Sequence, residues 1–316
     1  MRVAAAARAG SVVVFGSLNV DSTSYVDRFP LPGETLASTG FATALGGKGT
    51  NQAVAAHRSG AAVRLVARVG ADASGDFALA ELARHGLDVA SIAAVPDAPT
   101  GVAQITVDAS GENTIVITAG ANAALTPELV VERHDDIAAA DLVLTQGEVP
   151  APTIERLAAA CARFGTRFVL NLAPPIDVSR GALAECDPLV VNEHEARSVG
   201  IAPEGAGSAD DWWGAAEAAV GRVARSVVVT LGAEGAVGAA PGVSVACAAP
   251  EVDAVDTTGA GDGFTGTLAA FLAGGAELDE AVVAAVAAGG LAVQRRGTTD
   301  SYASRDEILQ AMEDDA

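Results

Sequence analysis

Residues 141–172 have the sequence DLVLTQGEVPAPTIERLAAACARFGTRFVLNL, in which two apolar runs flank a segment of helical periodicity. The pattern predicts a strand at Leu142–Thr145, a helix at Pro152–Phe164 and a strand at Phe168–Leu172. Continuous apolar strands are typical of parallel sheets that are covered on both faces. This βαβ unit therefore predicts an α/β fold: a three-layer, Rossmann-like core with a mostly parallel sheet.

The alternation of strand and helix patterns extends along the rest of the chain in both directions. Further core strands are predicted at Ser11–Gly16, Val63–Val69, Leu189–Val191 and Val227–Thr230, with a late hairpin at Val237–Ala239 and Val243–Ala248. Further helices are predicted at Thr50–Ser59, Phe77–His85, Glu193–Val199, Asp211–Val223, Gly263–Ala273, Leu278–Val293 and Arg305–Met312.

Two insertions near the amino-terminal strands have a different pattern. Asp21–Phe29 and Ala37–Leu45 alternate loosely, as do Gly101–Val107 and Asn113–Thr118, which indicates antiparallel strands exposed on one face. We expect the insertions to pair into one small β-sheet, a lid over the carboxyl ends of the core strands. The prediction is a single domain, 1–316, with a core at about 1–20, 47–97 and 121–316 and a lid at about 21–46 and 98–120.

Composition narrows the classes of partner. The chain has 316 residues, 50% of them hydrophobic, and 40 acidic against 19 basic residues give a net charge of -21. Such a surface repels nucleic acid and anionic membranes, so neither is an expected partner. No apolar run approaches the roughly 20 residues that span a bilayer. The three separated cysteines, Cys161, Cys186 and Cys247, fit neither a disulfide framework nor a zinc site, and a cytoplasmic location is expected.

The segment Asp256-Thr-Thr-Gly-Ala-Gly-Asp-Gly-Phe264 is a glycine-rich turn that leads into a helix. The backbone N–H groups of Gly259, Ala260 and Gly261 are expected to face an anion, helped by the helix dipole. Asp262 at the same helix start is a candidate general base for a substrate hydroxyl. The structural alternative is a helix cap after a tight turn. Gly261-x-Gly263-x-x-Gly266 matches a dinucleotide fingerprint, but no βαβ unit follows it.

Two other segments carry polar groups at the start of a helix and the end of a strand. Gly46-Gly-Lys-Gly-Thr-Asn51 is not a Walker A motif, because Gly49 follows Lys48; it offers backbone N–H groups, Lys48 and the Asn51 amide to sugar hydroxyls. Gly16-Ser-Leu-Asn-Val-Asp21 places Asn19 and Asp21 on one face, a plausible clamp for a vicinal diol. A chance lysine at a helix start and ordinary turn chemistry are the respective alternatives.

The order and spacing of these segments resemble the ribokinase-like (PfkB) family of carbohydrate kinases, over about Val12 to Ser301. Gly46–Gly70 and Asp256–Phe264 are similar to the two family signatures. The ribokinase subgroup is the most similar, through Gly16–Asp21, Phe29–Thr35, Gly46–Ala56, Gly111–Ile115 and Gly120–Leu125.

The resemblance implies phosphorylation of D-ribose at its 5-hydroxyl, with ATP, Mg²⁺ and K⁺ and a homodimer formed through the lid. Asp262 would be the base, with the amides of Gly259, Ala260 and Gly261 as the anion hole. The sugar would be held by Asn19, Asp21, Gly47, Lys48, Gly49, Thr50, Asn51 and Glu148. The nucleotide would be held by Asn192, Thr230, Leu231, Gly232, Ala233, Glu234, Gly235, Gly261 and Asp262. Glu195 would act on Mg²⁺ through water, and Asp256, Thr258, Ala292, Arg295, Gly297 and Ser301 would surround K⁺.

Three positions depart from the family pattern, and two other functions stay open. Thr50 stands where alanine is usual, Val286 replaces a polar residue near adenine, and Gly147 replaces a bulkier residue beside Glu148 and is expected to reshape the sugar pocket. A family kinase acting on deoxyribose, a ketohexose or a nucleoside is one alternative. A non-catalytic sugar-binding regulator is the other.

Overall fold

The computed structural model describes residues 9–203 and 207–314. Residues 1–8 of the predicted core segment 1–20, and residues 204–206 and 315–316, lie outside the described part. The strands, in chain order, are β1 (Ser11–Phe15), β2 (Asn19–Tyr25), β3 (Gly40–Gly46), β4 (Ala62–Val66), β5 (Arg68–Gly70), β6 (Ala93–Val95), β7 (Gly101–Val107), β8 (Asn113–Thr118), β9 (Leu142–Gln146), β10 (Arg167–Asn171), β11 (Leu189–Asn192), β12 (Val227–Thr230), β13 (Ala236–Ala240) and β14 (Val243–Cys247).

The α-helices lie between the strands and at the carboxyl end. They are α1 (Lys48–Arg58), α2 (Ala73–Arg84), α3 (Pro127–Glu132), α4 (His134–Ala139), α5 (Ala151–Phe164), α6 (Arg180–Leu183), α7 (Glu193–Ser198), α8 (Ala209–Ala219), α9 (Ala260–Ala273), α10 (Leu278–Ala292) and α11 (Arg305–Asp314). Short 3₁₀ helices lie at Gly120–Ala124 and Gly232–Glu234. Within the described ranges, no helix has both the length and the apolar character that crossing a bilayer requires.

The large sheet has eight strands in the order β14-β13-β12-β11-β10-β9-β1-β4. The strands from β4 to β12 in this order pair in parallel, and β13 and β14 form an antiparallel edge. The predicted mostly parallel core is therefore confirmed. In a sheet of this kind the carboxyl ends of neighbouring strands meet at one edge, which is where ligands bind.

Helices cover both faces of the large sheet, and β1 shows why its sequence is apolar throughout. Successive side chains of a strand point to opposite faces. Val12 and Val14 pack in a core with α1, α2, α9, α10 and α11, while Val13 and Phe15 pack in a second core with α3 to α8. Both faces of the strand are buried, so neither can carry polar residues.

The two insertions form a separate four-stranded sheet in the order β3-β2-β7-β8, called the small sheet below. Each insertion is an antiparallel pair, as predicted. The insertions meet along β2 and β7, which run parallel from the Asn19–Gly101 pair to the Tyr25–Val107 pair. Because only three residues separate the end of β1 from the start of β2, the small sheet starts beside the carboxyl edge of the large one.

Some boundaries differ from the prediction for local reasons. The predicted strand Val63–Val69 is two strands, because β4 stays in the large sheet while β5 pairs with β6 in a sheet of its own. The predicted helix Asp211–Val223 ends at Ala219, since the chain then turns through Gly221, whose φ of 71° is a left-handed conformation.

Candidate active site

The site lies where the carboxyl edge of the large sheet meets the amino-terminal ends of α1 and α9. Three neighbouring parallel strands supply polar side chains there: Gln146 ends β9, Asn171 ends β10 and Asn192 ends β11. Helix α1 begins at Lys48 directly after β3, and α9 begins at Ala260. These helices pack against each other so closely that a Cβ added at Gly266 would lie 2.4 Å from the Gln52 carbonyl oxygen.

Asp262 stands in the first turn of α9 and is buried, with 6% of its surface exposed. The Asn51 amide donates to its Oδ2 at 2.9 Å, and the Gln52 amide donates to its Oδ1 at 2.9 Å. The Lys48 ammonium lies 3.9 Å from Oδ1. The carboxylate therefore has one amide donor on each oxygen and a cation nearby, which fixes its position at the mouth of the helix.

The turn before α9 needs glycine at one position and leaves another open. Gly259 has φ 75°, and a Cβ there would lie 2.3 Å from the Thr298 methyl carbon. A Cβ at Gly261 would meet nothing within 4 Å. In the described part of the chain the Gly259, Gly261 and Asp262 N–H groups have no acceptor, whereas the Ala260 N–H donates to Thr257 O at 3.3 Å. Unpaired amides at the start of α9 are therefore available to an anion.

Carboxylates and one lysine line the side of the site that faces the small sheet. Glu148 Oε2 accepts from the Ser17 hydroxyl at 2.5 Å and from the Lys48 N–H at 3.1 Å. Burial raises the pKa of Asp21 to about 6, and the charges of Glu148 and Asp262 add to this shift. Asp262 raises the pKa of Lys48, with help from Glu148 and Glu195 and against the effect of burial. Asp21, Lys48, Glu148 and Asp262 therefore share one electrostatic environment.

The segment before α1 is held against β1 by close backbone packing. Gly47 has φ 89°, and a Cβ at Gly49 would lie 2.3 Å from Gly16 Cα. The Thr50 hydroxyl donates to Ser17 O at 3.1 Å, so this residue, in place of the usual alanine, ties α1 to β1. Asn19 is buried at the start of the small sheet, where its Oδ1 accepts from the Asn122 amide at 2.8 Å.

A cleft of about 760 Å³ reaches the start of α9, where Ala260 and Gly261 line it. Its lining also includes apolar residues of 249–254 and of α10. Of the residues predicted to hold a nucleotide, Asn192, Thr230, Gly232, Ala233, Gly235 and Gly261 line it. Leu231 does not, because it is buried in the second core, and Glu234 and Asp262 lie outside the lining. Sequence reasoning missed the apolar Pro250, Val252 and Val293, the glycines Gly289 and Gly290, and the polar Glu193, His194 and Arg197.

Comparison with known proteins identifies the family. The model of the pfkB family carbohydrate kinases matches residues 9–305. The chain belongs to this family.

Named relatives of this pfkB-family protein are sugar kinases. Ribokinase of Haemophilus influenzae is 35% identical over 305 residues, which cover 96% of this chain and 98% of that protein. Deoxyribokinase of Salmonella typhi is 32% identical and covers 95% and 98% respectively. The structure of Arabidopsis thaliana ribokinase complexed with ribose and ATP matches with a TM-score of 0.89 at 29% identity, over 97% of this chain and 99% of that one. This pfkB-family protein is thus a sugar kinase, a phosphotransferase with an alcohol group as acceptor.

The residues predicted to act on Mg²⁺ in this pfkB-family protein are engaged with each other. The Asn192 side chain accepts from the Glu195 N–H at 2.9 Å, and Glu195 Oε2 accepts from the Asn192 N–H at 2.8 Å, a reciprocal cap of α7. Burial raises the pKa of Glu195. Among the described residues, no three histidine, cysteine, aspartate or glutamate side chains cluster as metal ligands. This arrangement fits contact with Mg²⁺ through water, because Mg²⁺ keeps most of its water ligands.

The predicted K⁺ residues lie on two segments that Asp256 ties together. Asp256 accepts from the Thr258 N–H and from the Gly297 N–H, each at 3.0 Å. Ala292 ends α10, and the Ser301 hydroxyl turns back to donate to Thr298 O at 2.7 Å. The Arg295 side chain pairs with Glu307 at 2.6 Å, so only its backbone carbonyl is available to a cation. Carbonyl oxygens suit a hard monovalent cation.

Several polar residues of the site were not predicted, among them Gln52, Asn122, Gln146 and Asn171 around Asp262 and Asn19, and Glu193, His194 and Arg197 in the cleft. Gln52 and Gln146 are fully buried amides, and Asn122 donates to Leu18 O and Asn19 Oδ1 from the 3₁₀ helix after β8. Asn171 and Gln146 each follow an apolar strand, a signal that the sequence offered, since the carboxyl ends of parallel strands gather at one edge.

Gly147 lies against the backbone of a neighbouring segment, and no open pocket lies beside it. A Cβ at Gly147 would lie 1.9 Å from Pro174 O, and its N–H donates to Asn171 O and Ala173 O, each at 3.1 Å. The segment after β10 therefore passes directly over this glycine. A larger residue would clash there, and the missing side chain leaves no added volume on that side.

Proposed function

We propose that the protein transfers the terminal phosphoryl group of ATP to the 5-hydroxyl of D-ribose, giving ribose 5-phosphate and ADP. The observation that carries the proposal is the place of Asp262. It stands between a polar pocket suited to a polyol and a cleft that ends at free helix amides. The ribokinase named in H. influenzae supports ribose as the sugar.

Sugar binding falls to the polar groups facing the small sheet. Asn19, Asp21, Lys48, Asn51 and Glu148 offer donors and acceptors, with Gly47, Gly49 and Thr50 shaping the backbone around them. Asn51 Oδ1 is buried and has no partner among the described residues. A buried acceptor without a donor costs roughly 1–3 kcal/mol, so this oxygen fits one that a sugar hydroxyl or a water satisfies on binding.

The chemical step follows from the two sides of Asp262. Its carboxylate takes the proton of the sugar hydroxyl as the oxygen attacks the terminal phosphorus and the bond to the bridging oxygen of ADP breaks. The Gly261 and Asp262 N–H groups and the α9 dipole stabilise the negative charge of the group in transfer. Lys48, 3.9 Å from Asp262, balances charge on the sugar side.

Two cations complete the proposal. Asn192 and Glu195 would hold the waters of Mg²⁺, which neutralises phosphate charge when it is bound with the nucleotide. The segments carrying Asp256, Thr258, Ala292, Arg295, Gly297 and Ser301 would surround K⁺ behind the α9 turn. That turn also fixes the Gly261 amide, so K⁺ is proposed to act on kcat through the shape of the anion hole.

The small sheet is proposed to act as a lid and as the contact between two subunits. β8 is an edge strand with all six residues exposed, among them Ile115, Val116 and Ile117, and Phe41 on β3 is 67% exposed. An open, apolar edge strand is a surface that proteins cover. A dimeric mass in light scattering at micromolar concentration is expected, and a monomeric mass would remove this part of the proposal. The free thiols of Cys161, Cys186 and Cys247 support a reducing cytoplasm as its location.

The deciding experiment measures ADP release with Mg-ATP and K⁺ on D-ribose, 2-deoxyribose, fructose, adenosine and uridine in parallel. The highest kcat/KM is expected with D-ribose, with phosphorus-31 NMR showing coupling of the product phosphate to the C5 protons. A preference for 2-deoxyribose would follow the S. typhi relative instead. Ribose binding in calorimetry without ADP formation would support a sugar-binding regulator and overturn the catalytic proposal.

A further inference from the structure

Behind Asp262 lies a chain of buried side-chain amides, which we call the amide relay: Gln146, Gln52 and Asn171. Gln52 Nε2 donates to Asp262 Oδ1 at 2.9 Å and to Asn171 Oδ1 at 2.9 Å. Gln52 Oε1 accepts from Gln146 Nε2 at 2.9 Å. All three residues are buried, and they join α1 to the ends of β9 and β10.

The direction of every bond in the amide relay is fixed by one backbone group. Asn171 Nδ2 donates to Val190 O at 3.1 Å, and a carbonyl can only accept. Asn171 therefore presents its oxygen to Gln52, so Gln52 must present its nitrogen to both Asn171 and Asp262. A rotated Gln52 amide would place its oxygen against two other oxygens.

The fixed direction of these bonds leaves one acceptor unsatisfied at the far end of the amide relay. Gln146 must turn its nitrogen to Gln52, and its own Oε1 is buried without a partner among the described residues. An unpaired buried oxygen costs roughly 1–3 kcal/mol. The amide relay therefore tolerates one unpaired oxygen at Gln146 while keeping its donors directed toward the group at its other end, Asp262.

We infer that Gln52 is the positioning residue of Asp262, holding the carboxylate so that it faces the sugar hydroxyl. The inference rests on the proposed function, in which Asp262 is the base. Asn51 donates to Oδ2 from the sugar side, but its own Oδ1 is buried without a partner among the described residues, so this amide is anchored on one atom only. Gln52 is anchored on both, because its amide nitrogen donates to protein with both hydrogens and its oxygen accepts from Gln146. The orientation of Asp262 therefore depends on Gln52 whether or not sugar is present.

Gln52→Met tests this, since methionine keeps the length of the side chain and removes both donors. We expect kcat to fall about 10- to 100-fold, because small errors in the position of a base are costly, with the KM values for sugar and ATP changed by less than about threefold. The loss should fall on kcat and leave both KM values nearly unchanged, a split that a general distortion of the site would not produce. Gln146→Met, one step further along the amide relay, should change kcat in the same direction by a smaller factor.

Ser59→Ala is the matched control. The Ser59 hydroxyl, just after α1, bonds to that of Thr267 at 2.9 Å, so it is also buried and also joins the two helices, but it makes its contact five residues further along α9 than Asp262. Normal kcat in Gln52→Met would overturn the inference. So would a loss that matches Ser59→Ala in melting temperature and kcat, or one in which the KM for sugar rises as much as kcat falls, since neither is the effect of a misplaced base.

The order of measurement separates this inference from the proposed function. Wild-type turnover is measured first on the sugar panel. Absence of turnover on D-ribose would overturn the ribose proposal, and the Gln52 comparison would then use whichever sugar the kinase phosphorylates. A wild type active on ribose beside an unaffected Gln52→Met would instead leave the proposed function standing and remove Gln52 from it.

Discussion

The two sides of Asp262 are built in opposite ways. On the sugar side, charged and amide groups are joined by hydrogen bonds, and Glu148, Asn51 and Gln52 each have named partners. On the proposed nucleotide side, an open cleft is lined by apolar residues such as Pro250 and Val252 together with polar residues such as Asn192, Arg197 and Thr230. We therefore propose that the sugar side selects by matching donors and acceptors, whereas the nucleotide side combines shape with a few polar groups and the free amides at the start of α9.

The largest effect is expected at the boundary between the two sides. Asp262→Asn removes the group that takes the proton while keeping the size of the side chain. We expect kcat to fall by about 10²–10⁴-fold, the range of a lost general base, with the Kd for ATP nearly unchanged. Steady-state assays of ADP release measure kcat, and calorimetry measures the Kd for ATP. Near-normal turnover in this variant would show that the proton leaves by another route.

A second test disturbs the packing of α1 against α9, the two helices that carry Gln52 and Asp262. Gly266→Ala would place a Cβ 2.4 Å from the Gln52 carbonyl and 2.6 Å from Ala55 Cβ, so α1 and α9 must separate. We expect a loss of about 1–3 kcal/mol in the free energy of unfolding, and a fall in kcat because Asp262 and Gln52 lie on these helices. Urea denaturation and turnover measure the two effects.

Gly214→Ala is the control for that variant. Gly214 lies within α8, where an added Cβ would meet nothing within 4 Å. Alanine there is expected to add about 0.5–1 kcal/mol to the free energy of unfolding, since it restricts the unfolded chain and suits a helix. A destabilised Gly214→Ala with a normal Gly266→Ala would contradict the argument from helix packing.

The features of the fold and of the site that the sequence could predict are those marked by residues close together in the chain. Gly259 and Gly261 mark the start of α9, Lys48 and Asn51 mark the start of α1, and the apolar runs mark the parallel strands. Each of these depends on neighbours in the sequence. The hairpin strands β7 and β8 were predicted at their observed bounds for the same reason.

The missing parts depend on contacts between distant segments. Gln52 is one polar residue in a helix until Asn171, 119 positions away, and Asp262, 210 positions away, are seen beside it. The sequence predicted that the two insertions pair into one small sheet, but not that β2 and β7 are the strands that meet or that they run parallel. Gly147 illustrates the opposite error, because a change in side-chain size suggested a pocket where the backbone of Pro174 lies.

The sugar side should also show a conflict between stability and binding. The pKa of Asp21 is raised from 3.8 to about 6 by burial and by Glu148 and Asp262, so folding disfavours its charged form at neutral pH. Between about pH 4 and 6 the folded state binds more protons at this carboxyl than the unfolded state does. The free energy of unfolding therefore falls as the pH rises through that window, and the full destabilisation by Asp21 is present above it. Asp21→Asn should therefore raise the free energy of unfolding at pH 7 by about 1–2 kcal/mol, after allowance for solvent screening.

Two measurements check the Asp21 prediction. In denaturation curves the advantage of Asp21→Asn should shrink as the pH is lowered from 7 to 5, because the wild-type carboxyl then takes up its proton. In turnover assays kcat/KM for the sugar should fall, while the KM for ATP stays unchanged. A variant that is less stable than wild type at pH 7 would mean that the carboxylate has a favourable partner in the folded protein.

The smallest effect is expected at the far end of the nucleotide cleft. The proposed anion hole at Gly261 and Asp262 opens on a cleft whose lining includes Val252 and Val286, side chains without a donor or acceptor. Apolar walls recognise the shape of a purine but discriminate poorly between exchanged amino and carbonyl groups. At saturating sugar, kcat/KM for GTP is therefore expected within about tenfold of that for ATP, and Val286→Asn should change this ratio with little effect on kcat. A preference for ATP of a thousandfold or more would show that backbone groups of the cleft match adenine by hydrogen bonds. The two sides would then be equally selective, and would differ only in using side-chain or backbone groups to select.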